Sequence, residues 1–399
     1  MEKSTVLPYG KQSIDDDDIA AVTAVLRGDF LTTGPAVATF EESFAEACNV
    51  AHAVACSSGT AALHMTALAA GVAPGTTTIV PSITFLAAAN VAILAGAEVI
   101  FADVDPENGL MRPSDFEEAL SRAGQTGADV QAVFPVHVGG QMVDMEAIAE
   151  IAAQRGCRVI EDACHALGSS YQDHRVGDGA HSDMATFSFH PVKTIAMGEG
   201  GAVTTRDPEI ADRLRQLRSH GMVRDADAFE LTEQAFDGNR GVNPWYYEMP
   251  EIGLNYRVSD IHCALGNSQL KKLDRFVAQR RALAAQYDQQ IDWENLPAHR
   301  IKLMPDMAPC WHLYTILVDF NRAGLDRATV MHQLRDRGVG TQVHYIPLHL
   351  QPFYRRRYGL QSLPGAERYY EGCLSLPLFP AMDSADVDRV VEALSDVLD

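Results

Sequence analysis

Lys193 lies in the run Phe187-Ser-Phe-His-Pro-Val-Lys193-Thr, after an apolar stretch and shortly before Gly198-Glu-Gly-Gly201. Most lysines sit in water. One placed behind an apolar strand loses hydration, its pKa falls, and its neutral amine can form a Schiff base with a carbonyl. The glycines by themselves would equally make a turn. Asp162 closes Arg158-Val-Ile-Glu-Asp162-Ala-Cys-His165. A carboxylate at the end of a buried strand is costly without a charged partner. A protonated pyridine nitrogen is such a partner, and the pairing keeps the ring electron-withdrawing toward a carbon being deprotonated. The plainer alternative is an aspartate capping the next helix. His165, three residues on, can bond a phenolic oxygen on that ring or serve as a satisfied structural histidine.

Two strand-to-helix turns complete the set. Cys56-Ser-Ser-Gly-Thr60-Ala-Ala offers hydroxyls and helix-start N–H groups, which suit a phosphate. Ser188, five residues before Lys193, adds another hydroxyl. Pro81-Ser-Ile-Thr-Phe85 presents a ring that can stack on a flat cofactor or pack as an ordinary core phenylalanine. Each signal has a bland reading. Jointly they supply a Schiff-base lysine, a ring-nitrogen carboxylate, a phosphate cradle and a stacking ring, which is the set that pyridoxal 5'-phosphate requires.

The elements that must position these groups follow from hydrophobic patterning. Short apolar runs at His52–Cys56, Thr77–Pro81, Glu98–Asp103, Val130–Val136, Arg158–Asp162 and Met184–Phe189 read as strands. Helical patterns at Thr60–Gly71, Thr84–Ala95, Pro113–Ala123 and Asp144–Arg155 alternate with them. This alternation predicts an α/β fold with a mostly parallel sheet covered on both faces, and ligands gather at the carboxyl ends of such strands. Residues 1–258 are expected to form this large cofactor domain. Residues 259–399 are expected to form a smaller α+β domain, entered by a long helix from Ser259 to about Asp288. Strand-like runs follow at Trp311–Phe320 and Gly340–His344. The polar stretch from Asp225 to Pro244 reads as a surface excursion or lid.

Bulk properties exclude other classes. The chain has 399 residues and a net charge of −21, which repels phosphate backbones and argues against nucleic acid as a partner. No stretch is long and apolar enough to predict a membrane span. Met1–Gly10 lacks the basic region and apolar core of a secretory signal. The seven cysteines are scattered without a C-x-x-C pair, as expected of reduced thiols in a cytoplasm. Asp15–Asp18 is conceivable as a metal site and reads better as the acidic first turn of a helix. His344-x-x-x-x-His349 invites a metal reading, but no acidic or cysteine partner accompanies it. No metal is expected.

The order Ser-Gly-Thr, Pro-x-x-Thr-Phe, Glu-Asp-Ala-x-His, Ser-Phe-x-x-x-Lys, Gly-Glu-Gly-Gly and Gly-x-Asn-Tyr-Arg resembles the DegT-type sugar aminotransferases, which are fold type I pyridoxal-phosphate enzymes. The resemblance runs from Pro8-Tyr-Gly-Lys-Gln-Ser-Ile14 to Ser375-Leu-Pro377. It implies that Lys193 holds the cofactor and shuttles the proton, and that Asp162 pairs with the ring nitrogen. It implies that His165 lies near the ring oxygen and that Phe85 stacks on the ring. Gly59, Thr60, Ala61 and Ser188 would take the phosphate. Asn255 would reach the phosphate in a neighbouring subunit, which implies a homodimer with shared sites. Tyr9, Thr32, Arg257, His344 and Tyr345 stand in segments that resemble those near the sugar nucleotide.

Relatives that replace the lysine with histidine are dehydratases, so Lys193 favours amino transfer. Ser13-Ile-Asp-Asp-Asp-Asp18, Leu31-Thr-Thr-Gly-Pro35, Ser219-His-Gly-Met222, Pro244-Trp-Tyr-Tyr247 and Val343-His-Tyr-Ile-Pro347 look most like the branch serving pseudaminic acid synthesis, and so does Phe189-His-Pro-Val-Lys193. Perosamine- and bacillosamine-type enzymes share several of these. The implied reaction moves an amino group from L-glutamate to carbon 4 of a nucleotide-linked 4-keto-6-deoxy sugar. Ala196-Met197 departs from the small hydroxyl residues expected there, a change read as affecting the pocket floor.

Overall fold

The computed structural model describes residues 6–399. Residues 1–5, where the stretch read for a leader signal begins, lie outside it. The main sheet holds β1 (His52–Cys56), β2 (Thr76–Pro81), β3 (Glu98–Ala102), β4 (Asp129–Val133) and β5 (Arg158–Asp162). A hairpin of β6 (Ser170–Tyr171) and β7 (His174–Arg175) precedes its last two strands, β8 (Met184–Ser188) and β9 (Gly201–Thr205). The strand order is β1-β9-β8-β5-β4-β2-β3. Pairing is parallel from β8 through β3, as the alternation predicted. β9 runs antiparallel to both β8 and β1. Its sequence had read only as a glycine turn.

Helices α1 (Asp16–Leu26), α2 (Pro35–Cys48), α3 (Gly59–Ala69), α4 (Ala87–Leu94), α5 (Pro113–Thr126), α6 (Met145–Arg155) and α7 (Pro208–Arg218) accompany this sheet. Asp15 is the N-cap of α1, and Asp18 completes a capping box, so the acidic run is a helix start. α4 begins at Ala87 rather than Thr84. Thr84 and Phe85 therefore stay on the turn after β2.

The 225–244 stretch folds on itself. It holds α8 (Thr232–Ala235) and a bridge between Phe236 and Val242. Phe229 is buried against the Tyr246 ring at 4.9 Å. The Glu248 carboxylate accepts from the N–H groups of Glu230 and Leu231 at 2.7 and 2.8 Å.

The long helix expected over 259–288 is two helices, α9 (Asp260–Leu270) and α10 (Leu273–Gln290). α9 packs on α1 and α2, whereas the later turns of α10 pack on helix Ser384–Leu398. A single straight helix cannot serve both surfaces. At the break, Lys272 turns back to Asp15 and Asp18. A second apolar cluster, with Tyr287, Ile316, Leu374 and Leu394, fills the C-terminal part. There β10 (Ala298–Arg300), β12 (Tyr314–Val318) and β13 (Cys373–Leu376) pair in the order β10-β12-β13, while β11 (Met307–Ala308) joins the β6–β7 hairpin. Residues 340–344 are not a strand; a single bridge links Gln342 to Ser375. The N-terminal arm also belongs here. Leu7 bonds Gly338 and Gly340, and the Tyr9 carbonyl accepts from Leu378 N–H at 3.1 Å.

Candidate active site

The chemistry-bearing turns meet at one edge of the main sheet. β5 and β8 are parallel neighbours, so Asp162 and Ser188 emerge side by side. Antiparallel β9 starts at this same edge, with Gly201 beside Cys56. A Cβ on Gly201 would sit 2.4 Å from the Ser58 carbonyl oxygen, so only glycine lets β9 pass the turn after β1. In that turn Ser58 caps α3 by accepting from Ala61 N–H at 3.1 Å. The Ala61 N–H is thereby engaged. Those of Gly59 and Thr60, the first two residues of the helix, head a positive helix end. A Cβ on Gly59 would lie 2.8 Å from Ser188 Cβ and 3.2 Å from Cys164 Sγ. Gly59 and Ser188 thus share one tight turn, whose N–H and hydroxyl donors suit a phosphate.

Asp162 is buried, and its backbone is fixed by Pro135 and His137 through bonds of 2.9 and 3.2 Å. The preceding residue anchors the strand. His137 Nδ1 accepts from Val143 N–H, so its Nε2 proton goes to Glu161 at 3.1 Å. Ser182 donates to the other Glu161 oxygen. Lys193 follows a turn closed by its own N–H to the His190 carbonyl at 2.9 Å. Burial pushes its amine below the usual lysine range, while Cys164, Asp162 and Cys310 oppose that shift. Desolvation of this kind makes an amine a readier base.

Three histidines gather at Lys193. His165 Nδ1 accepts from Gly139 N–H at 3.3 Å, so its proton resides on Nε2 and points to the Tyr345 hydroxyl at 3.1 Å. His344 Nδ1 bonds Ser375 Oγ at 2.9 Å, and Ser375 bonds Thr315 at 3.0 Å. Burial, then the nearby Lys193 charge, pushes His344 down to about 3 and His165 well below the ordinary imidazole range. The third is His312, whose ring lies 4.3 Å from that of His165. It is buried, its Nδ1 has no hydrogen-bond partner among the described residues, and burial, then His165 and Lys193, push its pKa well below the ordinary imidazole range. Sequence reasoning missed it by treating Trp311–Phe320 only as a strand. A histidine inside an apolar run was the available signal.

Tyr9 leans on His344 with centroids 5.4 Å apart, and Tyr345 faces Phe85 at 6.1 Å. Phe85 is 56% exposed, an open ring rather than a core one. Lys193, Asp162, His165, Tyr345, His344, Tyr9 and Phe85 therefore surround one cleft, with the Gly59–Ser188 cradle at its edge. The remaining residues lie along the rim. Ser57 N–H donates to the Tyr256 carbonyl at 2.8 Å, which brings exposed Asn255 and half-buried Arg257 beside the phosphate turn. Thr32 is exposed and bridges Ser259. Its loop is held by Asp260, which accepts from Gly34 and Ala36 at 2.8 and 2.9 Å. Ala196 and Met197 do not floor the cleft. Both are buried, with Met197 against Gly200 and Gly266 and Ala196 N–H on Gln269.

A family model, the DegT/DnrJ/EryC1/StrS aminotransferase family, matches residues 12–395. The chain is 37% identical over 401 residues to the spore coat polysaccharide biosynthesis protein SpsC of Bacillus subtilis (strain 168), covering 100% of this chain and 98% of that protein. Helicobacter pylori PseC, an aminotransferase involved in the biosynthesis of pseudoaminic acid, is similar in structure. Its TM-score is 0.87 at 27% identity, over 98% of this chain and 99% of that one. The aminotransferase TlmJ from Streptoalloteichus hindustanus gives 0.86 at 31% identity, over 98% of each chain.

Proposed function

The chain belongs to the DegT/DnrJ/EryC1/StrS aminotransferase family, a family of pyridoxal-phosphate enzymes, and we propose that it transfers an amino group from L-glutamate to carbon 4 of a nucleotide-linked 4-keto-6-deoxy sugar. The observation that carries amino transfer is Lys193, a desolvated amine in the same cleft as Asp162 and His165. Likeness to PseC supports a UDP-linked, N-acetylated sugar. The higher identity to SpsC supports a second reading, a different nucleotide sugar destined for a surface polysaccharide.

The cradle of Gly59, Thr60 and Ser188 suits the cofactor phosphate, Phe85 the ring face, Asp162 the ring nitrogen and His165 the ring oxygen. Bound pyridoxal phosphate supplies an electron sink for carbanions and a carrier for the amino group. The protein's own work is acid–base and electrostatic. The Lys193 amine, its pKa lowered by burial, would take the proton from the donor's α-carbon and return it on the far side of the amino nitrogen. Asp162 would pair with the cationic ring nitrogen. His165, neutral with its proton on Nε2, can donate to an oxygen but adds no positive charge beside Lys193. Tyr9, His344, Tyr345, Thr32 and Arg257 would receive the sugar nucleotide, Arg257 offsetting its diphosphate.

We also propose a homodimer in which Asn255 serves the partner's site. The exposed apolar residues Trp245, Tyr247, Met249 and Ile252 on the adjoining stretch support it. No helix among the described residues is long and apolar enough to cross a membrane, and cytoplasmic residence is part of the proposal.

The test is spectroscopic. Enzyme bleached by L-glutamate and freed of it is offered a panel of nucleotide-linked 4-keto sugars. Return of the visible band with one UDP-linked N-acetyl sugar is expected. Return only with a different nucleotide sugar would favour the second reading, and return with none would defeat both.

A further inference from the structure

Ser82, His349 and Glu367 are far apart in the chain and meet in a line that runs from the interior to a part-exposed carboxylate. Ser82 Oγ lies 2.7 Å from His349 Nδ1, and His349 Nε2 lies 3.2 Å from Glu367 Oε1. Ser82 is fully buried and His349 nearly so. The Leu363 N–H, 3.0 Å from the same Glu367 oxygen, holds that carboxyl below its usual range, so Glu367 can only accept. The ring proton therefore sits on Nε2. Nδ1 is bare, and Ser82 must donate its hydroxyl proton to it. Backbone bonds lock both ends. Leu348 N–H donates to the Ser82 carbonyl at 2.8 Å, and Ser82 N–H donates to Ala102 at the end of β3 at 3.0 Å. Buried Ser82 cannot reach a substrate, so this Ser–His–acid line is no hydrolytic triad.

Its neighbours in sequence indicate its use. Phe85 comes three residues after Ser82, and Tyr345 four before His349. These are the two rings that face each other across the cleft. We infer that Ser82, His349 and Glu367 form a hydrogen-bonded relay that sets the spacing of the Phe85 and Tyr345 walls, with His349 as a positioning residue. The reading of what those walls enclose rests on the proposed function; the relay itself does not. Cutting the relay leaves a buried donor or acceptor unpaired, and the two loops are then joined here by the Leu348–Ser82 backbone bond without the side-chain line.

The experiment compares Ser82→Ala, Glu367→Ala and Glu367→Gln with the unaltered protein. Hydrogen exchange of cofactor-free protein should quicken about tenfold in segments 82–86 and 345–350 for Ser82→Ala. The increase should be smaller for Glu367→Ala and near zero for Glu367→Gln, whose amide oxygen still accepts. Pyridoxal-phosphate affinity should fall about tenfold in Ser82→Ala, with KM for the sugar rising more than kcat falls. Unchanged exchange in both segments for folded Ser82→Ala overturns the relay. So does a Glu367→Gln protein as disturbed as Glu367→Ala, which folds even if Ser82→Ala does not because Glu367 is part-exposed. Unaltered protein that binds no pyridoxal phosphate would defeat the functional reading, while the exchange data would still decide the relay.

Discussion

At the carboxyl edge of the sheet, part-buried Lys193 and buried His165, His312 and His344 crowd together. Along residues 245–254, Trp245 is 74% and Ile252 80% exposed. The first region holds polar groups where apolar ones would be cheaper, and the second holds apolar groups where polar ones would. Both departures cost stability, and they are resolved differently. In the cleft, burial lowers the pKa of the lysine and of the histidines, which favours their neutral, proton-accepting forms. On the rim these side chains stand exposed among the described residues, which is why a second copy is the proposed cover. In the proposed arrangement one chain holds the floor of the site and the second copy its cover.

The largest test removes the floor. Lys193→Ala should lower amino transfer at least about 1000-fold, because the proposed proton shuttle is gone. Its unfolding midpoint in urea should not fall, since a desolvated amine contributes no net stability. Activity above a hundredth of normal would mean the floor lies elsewhere. Next comes the rim. Trp245→Asp with Ile252→Asp should turn a dimer into a monomer in sedimentation and cost about 100-fold in activity, with little effect on the chain's own unfolding. An unchanged sedimentation coefficient would break the contrast between floor and cover.

A third test sharpens the floor. Gly59→Ala forces a methyl against Ser188 and Cys164, and pyridoxal-phosphate affinity measured by titration should drop about tenfold. The smallest is a pH effect on stability. Folded His344 stays neutral down to about 3 against a reference of 6.5. Between those values the unfolded chain binds a proton that the folded chain refuses, so stability falls as pH drops below 6.5. At pH 5 His344 should account for about 2 kcal/mol of that loss in cofactor-free protein. His344→Gln should flatten the dependence of urea unfolding on pH. An unchanged slope would mean that the imidazole takes up its proton within the fold.

The strands were legible to different degrees. β1 and β5 begin and end where their apolar runs do, because a strand covered on both faces needs unbroken Val, Ile and Ala. β9 was hidden because its leading glycines serve close approach to Ser58, and they look like a turn to any local reading. The α9–α10 break was hidden because both helices follow good helical patterns. The reason for the break is what each one packs against. Ala196 and Met197 looked like pocket residues by proximity to Lys193, but the backbone turns them into the core beneath α9.

The sequence by itself determined the cast of the chemistry: the lysine, the strand-end aspartate, the phosphate turn and the open phenylalanine. Residue type and short spacing carry that information, because local backbone geometry places a group at the end of its own strand. Only the tertiary structure decided which imidazoles join them. His312 reaches His165, and His349 reaches Ser82 across 267 positions, through contacts that leave no trace in either local segment. Such pairs form only when the sheet edge and the C-terminal part close on each other and exclude water. That exclusion is also what lowers the pKa of Lys193 and of its histidines.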